Sequence, residues 1–182
     1  HPTIQAALAA AKPGDTVRLE PGTYEERVRL VDGVSLAAAT PEARVLIAVD
    51  GKSGSVLEAE KLKSPLKISG ITFAHGGDEL GGASAGPAVA SIISSQITFE
   101  NCVFEKGLGD GLRVEGASRV TLTGCSARRN QGAGFVAARG AVVALDSCRA
   151  TGNGTDGLAV STRGAAELVN GATELVRNQG NG

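Results

Sequence analysis

Three segments decide the fold: Asn101-Cys-Val-Phe104, Gly124-Cys-Ser-Ala127 and Ser147-Cys-Arg-Ala150. Each cysteine lies 23 residues after the previous one. Around each of them apolar residues alternate with polar ones, which is typical of strands that turn every second side chain towards a core. Like residues at a constant step indicate coils stacked at the strand spacing of about 4.8 Å. The sequence therefore predicts an all-β fold, a parallel β-helix with coils of 23 residues.

The same register predicts columns of inward side chains that run from coil to coil. Two of these columns are expected to contain Val89, Leu112, Phe135 and Leu158, and Phe104, Ala127, Ala150 and Thr173. An earlier coil joins at a step of 31, so its eight extra residues predict a loop insertion at 75–86. Shorter alternations upstream bring the total to about seven coils. Because 23 is not a multiple of six, a left-handed hexapeptide helix is excluded and the right-handed form remains.

The corners of the coils are expected at segments rich in glycine and asparagine, such as Asn130-Gln-Gly-Ala-Gly134 and Asn153-Gly-Thr-Asp-Gly157. Both residue types tolerate a positive φ, so we expect them to make the turns. Asp110 and Asp156 occupy equivalent positions in these turns, where a turn-forming role accounts for them.

The two ends of the chain differ. Residues 1–14 contain the helix formers of Thr3–Ala11 followed by Lys12-Pro-Gly14, which predicts a capping helix before coils over 15–182. The chain is one domain, begins at His1 without a leader and ends in a turn, so we interpret it as a piece of a longer protein with an open C-terminal coil.

Composition argues against several classes of partner. Lys and Arg number 18 against 19 Asp and Glu and are scattered, so no nucleic acid partner is expected. No apolar stretch approaches the roughly 20 residues that span a membrane, so no membrane partner is expected. The compartment stays open, with a preference for a secreted or cell-surface location.

The N-terminal segment resembles the opening of the pectin-lyase-like superfamily of right-handed parallel β-helices. The resemblance rests on Ile4-Gln5, Gly14-Asp-Thr-Val17, Pro21-Gly-Thr-Tyr24 and Glu26, and on the cysteine repeats, which are similar to the generic repeats of bacterial β-helix domains. That superfamily includes pectate lyases, polygalacturonases, mannuronan epimerases, phage tailspikes and non-catalytic repeat domains. The resemblance therefore implies an architecture and leaves the activity open.

The signatures of the catalytic members are mostly missing. Of the polygalacturonase motifs Asn-Thr-Asp, Asp-Asp, His-Gly and Arg-Ile-Lys only His75-Gly76 is present, and the epimerase motif Asp-Pro-His-Glu does not occur. Glu100 and Asp146 face outward two coils apart, too far to share a calcium ion without other ligands. We therefore predict no catalytic residues, no metal site and no cofactor.

The cysteines and one pair of charges have structural interpretations. Cys102, Cys125 and Cys148 fall in an inward column, so they are expected to be small buried side chains without disulfides. Glu105 and Arg128 lie on adjacent coils and are expected to form a cross-strand ion pair. The outward face around Arg113, Val136 and Ala159 is partly apolar, and contact with a partner there is left open.

One corner gathers polar groups and is the candidate ligand-binding site. Because the register places His75 beside Lys106, the loop insertion is expected to bring together His75, Asp78, Glu79, Lys106 and Asp110.

The leading hypothesis for the function is a non-catalytic scaffold or recognition module that binds a polysaccharide or a protein partner. The alternatives are a polysaccharide lyase, hydrolase or epimerase with a divergent site, and a module that self-associates through its open C-terminal coil.

Overall fold

The structure is a computed structural model, and it describes residues 3–50, 54–76, 86–161, 163–169 and 172–179. One helix precedes a long series of short strands. In chain order they are α1 (Ile4–Ala10), β1 (Thr16–Leu19), β2 (Gly22–Tyr24), β3 (Val28–Arg29), β4 (Ser35–Ala38), β5 (Val45–Asp50), β6 (Leu57–Glu60), β7 (Leu66–Ser69), β8 (Ile71–Gly76), β9 (Ala90–Ile93), β10 (Gln96–Glu100), β11 (Val103–Glu105), β12 (Leu112–Glu115), β13 (Arg119–Thr123), β14 (Ser126–Arg128), β15 (Phe135–Ala138), β16 (Val142–Asp146), β17 (Arg149–Thr151), β18 (Leu158–Ser161), β19 (Ala165–Leu168) and β20 (Glu174–Val176).

Every third strand belongs to the same parallel sheet, so the chain winds as a solenoid with three faces. Sheet A runs from β1 to β19, sheet B from β2 to β20 and sheet C from β3 to β18. The described strands form six complete coils and two strands of a seventh, which agrees with the predicted number. The predicted all-β parallel β-helix is confirmed.

The core fills the space between the sheets with the inward side chains of each coil. Phe73, Phe99, Phe104 and Phe135 are completely buried. The rings of Phe73 and Phe104 stack with centroids 5.8 Å apart, and Phe99 meets Phe104 edge to face at 5.3 Å. The four phenylalanines of the chain are therefore all used in the core, so none is available on the surface.

Two members of the expected inward columns were wrong. Leu112 pairs with Ala90 instead of Val89, because the turn after β9 is one residue shorter than the turn after β12. Ala150 pairs with Leu175 instead of Thr173, because the last coil carries its two extra residues between β19 and Thr173. Thr173 continues the cysteine column, where its hydroxyl accepts a hydrogen bond from the backbone N–H of Cys148.

Each corner of the solenoid turns through a single left-handed residue per coil. At the corner between sheets A and B these residues are Gly70, Asn101, Gly124 and Ser147, with φ of 72°, 52°, 62° and 54°. At the corner between sheets B and C they are Lys106, Arg129, Gly152 and Arg177, with φ of 57°, 54°, 65° and 55°. The second set corrects the sequence prediction, since each residue directly precedes the glycine or asparagine that was expected to make the turn.

The asparagines at the corner between sheets B and C have a different role, as an internal ladder. This asparagine ladder consists of Asn130, Asn153 and Asn178. The Nδ2 of Asn153 donates to the carbonyl of Ala127 at 3.2 Å and to Oδ1 of Asn178 at 2.9 Å. Each amide thus bonds to its own coil and to the next, and the ladder satisfies buried backbone groups that the sheets leave unpaired.

Helix α1 covers the N-terminal end of the core, as predicted. Thr3 caps it by accepting a hydrogen bond from the backbone N–H of Ala6 at 3.1 Å. Ile4 and Leu8 are 2% and 0% exposed, so the apolar face of the helix closes this end of the solenoid.

Candidate functional site

The predicted site lies at the corner between sheets B and C, and His75 stands at its entry. His75 belongs to β8 and is 1% exposed. Its Nδ1 accepts a hydrogen bond from the backbone N–H of Leu108 at 3.1 Å, and its Nε2 lies 3.1 Å from the carbonyl oxygen of Gly54. Since a backbone N–H can only donate, Nδ1 is unprotonated and Nε2 carries the proton that binds Gly54. Both ring nitrogens are therefore committed to the backbone.

Burial of the His75 ring lowers its pKa below the usual value of 6.5, against the opposing effect of the Gly54 hydrogen bond. The neutral ring is the form that the folded chain stabilises. Above about pH 6.5 the ring is neutral in both the folded and the unfolded chain, so its contribution to stability is complete. As the pH falls below that value the unfolded chain gains the proton first, and the contribution is lost.

We expect the free energy of unfolding to fall by up to about 1 kcal/mol more between pH 7.5 and 5.5 in the wild type than in a His75→Gln variant. Urea unfolding at the two pH values measures this difference. The carboxylates are common to both proteins and cancel in the comparison. Equal pH dependence in the two proteins would show that the ring titrates in the same way folded and unfolded.

Asp110 is fixed by neighbours on its own coil and on the next. Its Oδ1 accepts a hydrogen bond from the backbone N–H of Ala133 at 2.8 Å, and its Oδ2 pairs with the guanidinium of Arg113. The residue is 8% exposed. Asp110 therefore ties two successive turns together, a structural role like the one predicted, although its bond reaches the next coil instead of its own turn.

The structure brings only part of the predicted site together. His75 reaches the turn that holds Lys106 and Asp110 through Leu108, but among the described residues no hydrogen bond or ion pair joins the three side chains to one another. Asp78 and Glu79 lie outside the described residues, as does most of the predicted loop at 75–86. Their convergence with the rest stays a prediction.

Lys106 heads a row of exposed cations that sequence reasoning missed. We name this row the corner ridge: Lys106, Arg129 and Arg177, which are left-handed residues of the corner between sheets B and C. Parallel pairing of β11, β14, β17 and β20 stacks them, with Gly152 in the row between the two arginines. All three are exposed, and within the described part of the chain none forms an ion pair. At about 4.8 Å per coil the row extends about 14 Å along the solenoid.

The neighbouring cations on sheet B are already neutralised. Arg128 pairs with Glu105 at 2.7 Å, which confirms the predicted cross-strand ion pair, and Arg149 pairs with Glu174. The free positive charge on this side of the molecule is therefore confined to the corner ridge.

The outer face of sheet C carries a shallow depression of about 430 Å³ at its N-terminal half. Its two carboxylates are both paired. Glu58 contacts Arg27 at 2.7 Å and Arg29 at 3.1 Å, and Glu60 contacts Lys61 at 3.0 Å. A carboxylate held by guanidinium groups is a poor general acid or base, because the pairing stabilises its ionised form.

The cysteine column is buried, as predicted. Cys102, Cys125 and Cys148 are 0–1% exposed, and all three thiols are free. The backbone N–H of Cys102 donates to the sulfur of Cys125 at 3.4 Å. The hydrogen bond between the Cys125 and Cys102 side chains, together with burial, raises the pKa of Cys125 to about 12. A thiol that stays protonated at neutral pH is a poor nucleophile, so the column is a core element.

A protein-family model described as "Right handed beta helix region" matches residues 50–173, more than half of the chain. The chain belongs to this family. The match covers coils of the β-helix on both sides of the candidate corner. A comparison with curated proteins finds no match.

Several solved structures share the fold of this β-helix. A pectin methylesterase from Yersinia enterocolitica superposes with a TM-score of 0.62 at 16% identity, over 84% of this chain and 55% of its own. The pectin methylesterase PemA from Erwinia chrysanthemi gives 0.61 at 15% identity, over 83% and 51%. The pectate lyase Pel9A gives 0.53 at 17% identity, over 83% and 48%.

These similarities support a pectin-lyase-like right-handed β-helix, as the resemblance of the sequence implied. At such low identities they show the fold alone. The chain spans about half the length of these structures. No helix among the described residues of the β-helix is long and apolar enough to cross a membrane.

The corner ridge could have been found in the sequence. Lys106, Arg129 and Arg177 follow the same steps as the asparagine ladder, one position earlier. Following only the apolar columns concealed them, because a basic residue at a turn ordinarily indicates nothing more than exposure to solvent.

Proposed function

We propose that this β-helix is a non-catalytic recognition module that binds a linear, carboxylated polysaccharide along the corner ridge. The observation that carries the proposal is the row of three exposed cations without ion pairs in the described chain. Guanidinium groups bind carboxylates with two parallel hydrogen bonds, and a regular row of cations suits a polymer with regularly repeated anions.

Two further observations support a polysaccharide. Pectin methylesterase structures with this fold include complexes with hexasaccharides, which makes a sugar polymer a reasonable ligand for the scaffold. Nucleic-acid sites commonly add aromatic side chains on which bases stack, and all four phenylalanines are buried in the core.

The absence of catalysis is argued from the groups that could act as acid or base near the ridge. Both nitrogens of His75 and both oxygens of Asp110 are committed to structural partners. The carboxylates lining the depression on sheet C are paired with basic side chains. Among the described residues these groups support binding better than proton transfer.

Titration calorimetry with polygalacturonate tests the proposal. A Lys106→Gln/Arg129→Gln variant removes two ridge charges but keeps long side chains, and we expect its affinity to fall about tenfold. The matched control, Lys63→Gln/Arg119→Gln, removes two exposed cations elsewhere and should bind like the wild type. Binding should weaken as salt is added.

Three outcomes would overturn the proposal. One is equal affinity for uncharged dextran, and another is equal weakening in the ridge and control variants. A third is tighter binding of a DNA oligonucleotide, which would indicate a nucleic-acid partner. Release of unsaturated or reducing products from polygalacturonate would overturn the non-catalytic part and favour the enzyme alternative.

A further inference from the structure

The coil formed by β18, β19 and β20 exposes side chains that every earlier coil buries. Val160 is 48% exposed, whereas Ala137, its neighbour in the same inward column, is fully buried. Leu168 is 64% exposed, whereas Leu145 in its column is fully buried. Within the described chain, the large apolar residues with such exposure are Val160, Leu168, Val169 and Val176, all in or beside these three strands.

The same coil also presents strand edges. β18, β19 and β20 are the end strands of sheets C, A and B, so one edge of each has no neighbour in the described chain. Unpaired edges beside an apolar surface are a site for strand addition. The opposite end of the solenoid is different, because α1 covers it with Ile4 and Leu8. A second copy therefore cannot stack head to tail without displacing its helix.

We propose that two copies of the chain associate through these C-terminal coils into a closed dimer with two-fold symmetry. The axis passes through the middle of sheet A and through the corner between sheets B and C. Rotation about it makes β19 antiparallel to β19 of the second copy and places β20 beside β18 of the second copy. Val160 and Leu168 of both copies then share one continuous core, and the contact cannot propagate into a fibre.

The charges next to β19 fit this arrangement. Antiparallel pairing about a two-fold axis centred on Ala165 sets Arg163 opposite Glu167 of the second copy, and centring on Ala166 sets the two residues diagonally. Both residues are exposed. Each dimer would contain the contact twice. A register centred on Glu167 would instead oppose two glutamates, so the charges select between registers.

Charge exchange provides the test, with light scattering and sedimentation of the 182-residue chain as the measurement. We expect a dimer whose dissociation constant rises about tenfold in Arg163→Glu and likewise in Glu167→Arg, because each single change opposes like charges. The double variant Arg163→Glu/Glu167→Arg restores opposite charges and should return the dissociation constant to that of the wild type.

A second pair of variants separates association from folding. Leu168→Lys places a charge where the two cores meet and should give a monomer, whereas Val176→Lys on the outward side of β20 should leave the dimer intact. Circular dichroism melting checks that each variant folds. The proposal is overturned if the wild-type chain stays monomeric up to about 100 μM, or if the double exchange is as weak as the single changes.

Discussion

Replacing Asn153 by alanine should lower the free energy of unfolding by about 3–5 kcal/mol. Oδ1 of Asn153 accepts from the backbone N–H and the Nδ2 of Asn130, at 3.2 Å and 2.9 Å, and its Nδ2 donates to Ala127 and Asn178. The residue is fully buried, so water cannot replace these partners. Alanine would leave several buried polar groups unsatisfied, each of which costs about 1–3 kcal/mol. Urea unfolding followed by circular dichroism measures the loss.

Asn178→Ala is the matched control for this prediction. Asn178 occupies the same corner of the final coil and makes the same kinds of hydrogen bond, but it is only half-buried. Water reaches the groups that it would leave, so we expect a loss of about 1 kcal/mol. Equal losses at the two positions would mean that burial is not what gives the ladder its contribution.

Replacing Phe104 by alanine should cost about 3–5 kcal/mol, through lost burial and the cavity left behind. Phe104 packs between Phe73 and Phe99, and the next residue in its column is Ala127, which is too small to fill the space. Because the coils are fixed by parallel hydrogen bonds on three sheets, the cavity cannot close by a shift of one strand. Calorimetry should show a melting temperature roughly 10 °C lower.

Phe104→Leu is the conservative comparison, since it keeps most of the apolar volume and should cost about 1–2 kcal/mol. A loss in Phe104→Ala as small as that in Phe104→Leu would show that the core around the ring relaxes. The two predictions test different stabilising elements, the polar corner and the apolar interior of the same coils.

Most of the architecture could be predicted because the coils repeat. Inward positions return every 23 residues wherever the turns keep their length, so the columns through Cys102 and Phe104 were placed correctly in the central coils. The two misplaced residues, Val89 and Thr173, lie beside turns of altered length. One residue gained or lost in a turn moves the register, and the composition of a turn does not report its length.

The candidate site was harder to predict, since the same residue types serve structure and binding. His75 and Asp110 were singled out for their chemistry, yet both are committed to backbone partners, and only a three-dimensional arrangement reveals such partners. Lys106 was singled out for its neighbours in the register, and its importance here comes from Arg129 and Arg177 further along the corner. Whether a cation is free or paired depends on residues 23 or more positions away.

By itself the sequence determined the solenoid, its parallel coils, the helical cap and the buried cysteine column, because these follow from periodicity and from the need to bury apolar side chains. The tertiary structure decided which polar residues are occupied and which are available. It placed the left-handed conformation on Lys106, Arg129 and Arg177 and turned the asparagines inward as a ladder. The physical reason is that a hydrogen bond or an ion pair depends on distances between coils, which the spacing of residues along one strand does not contain.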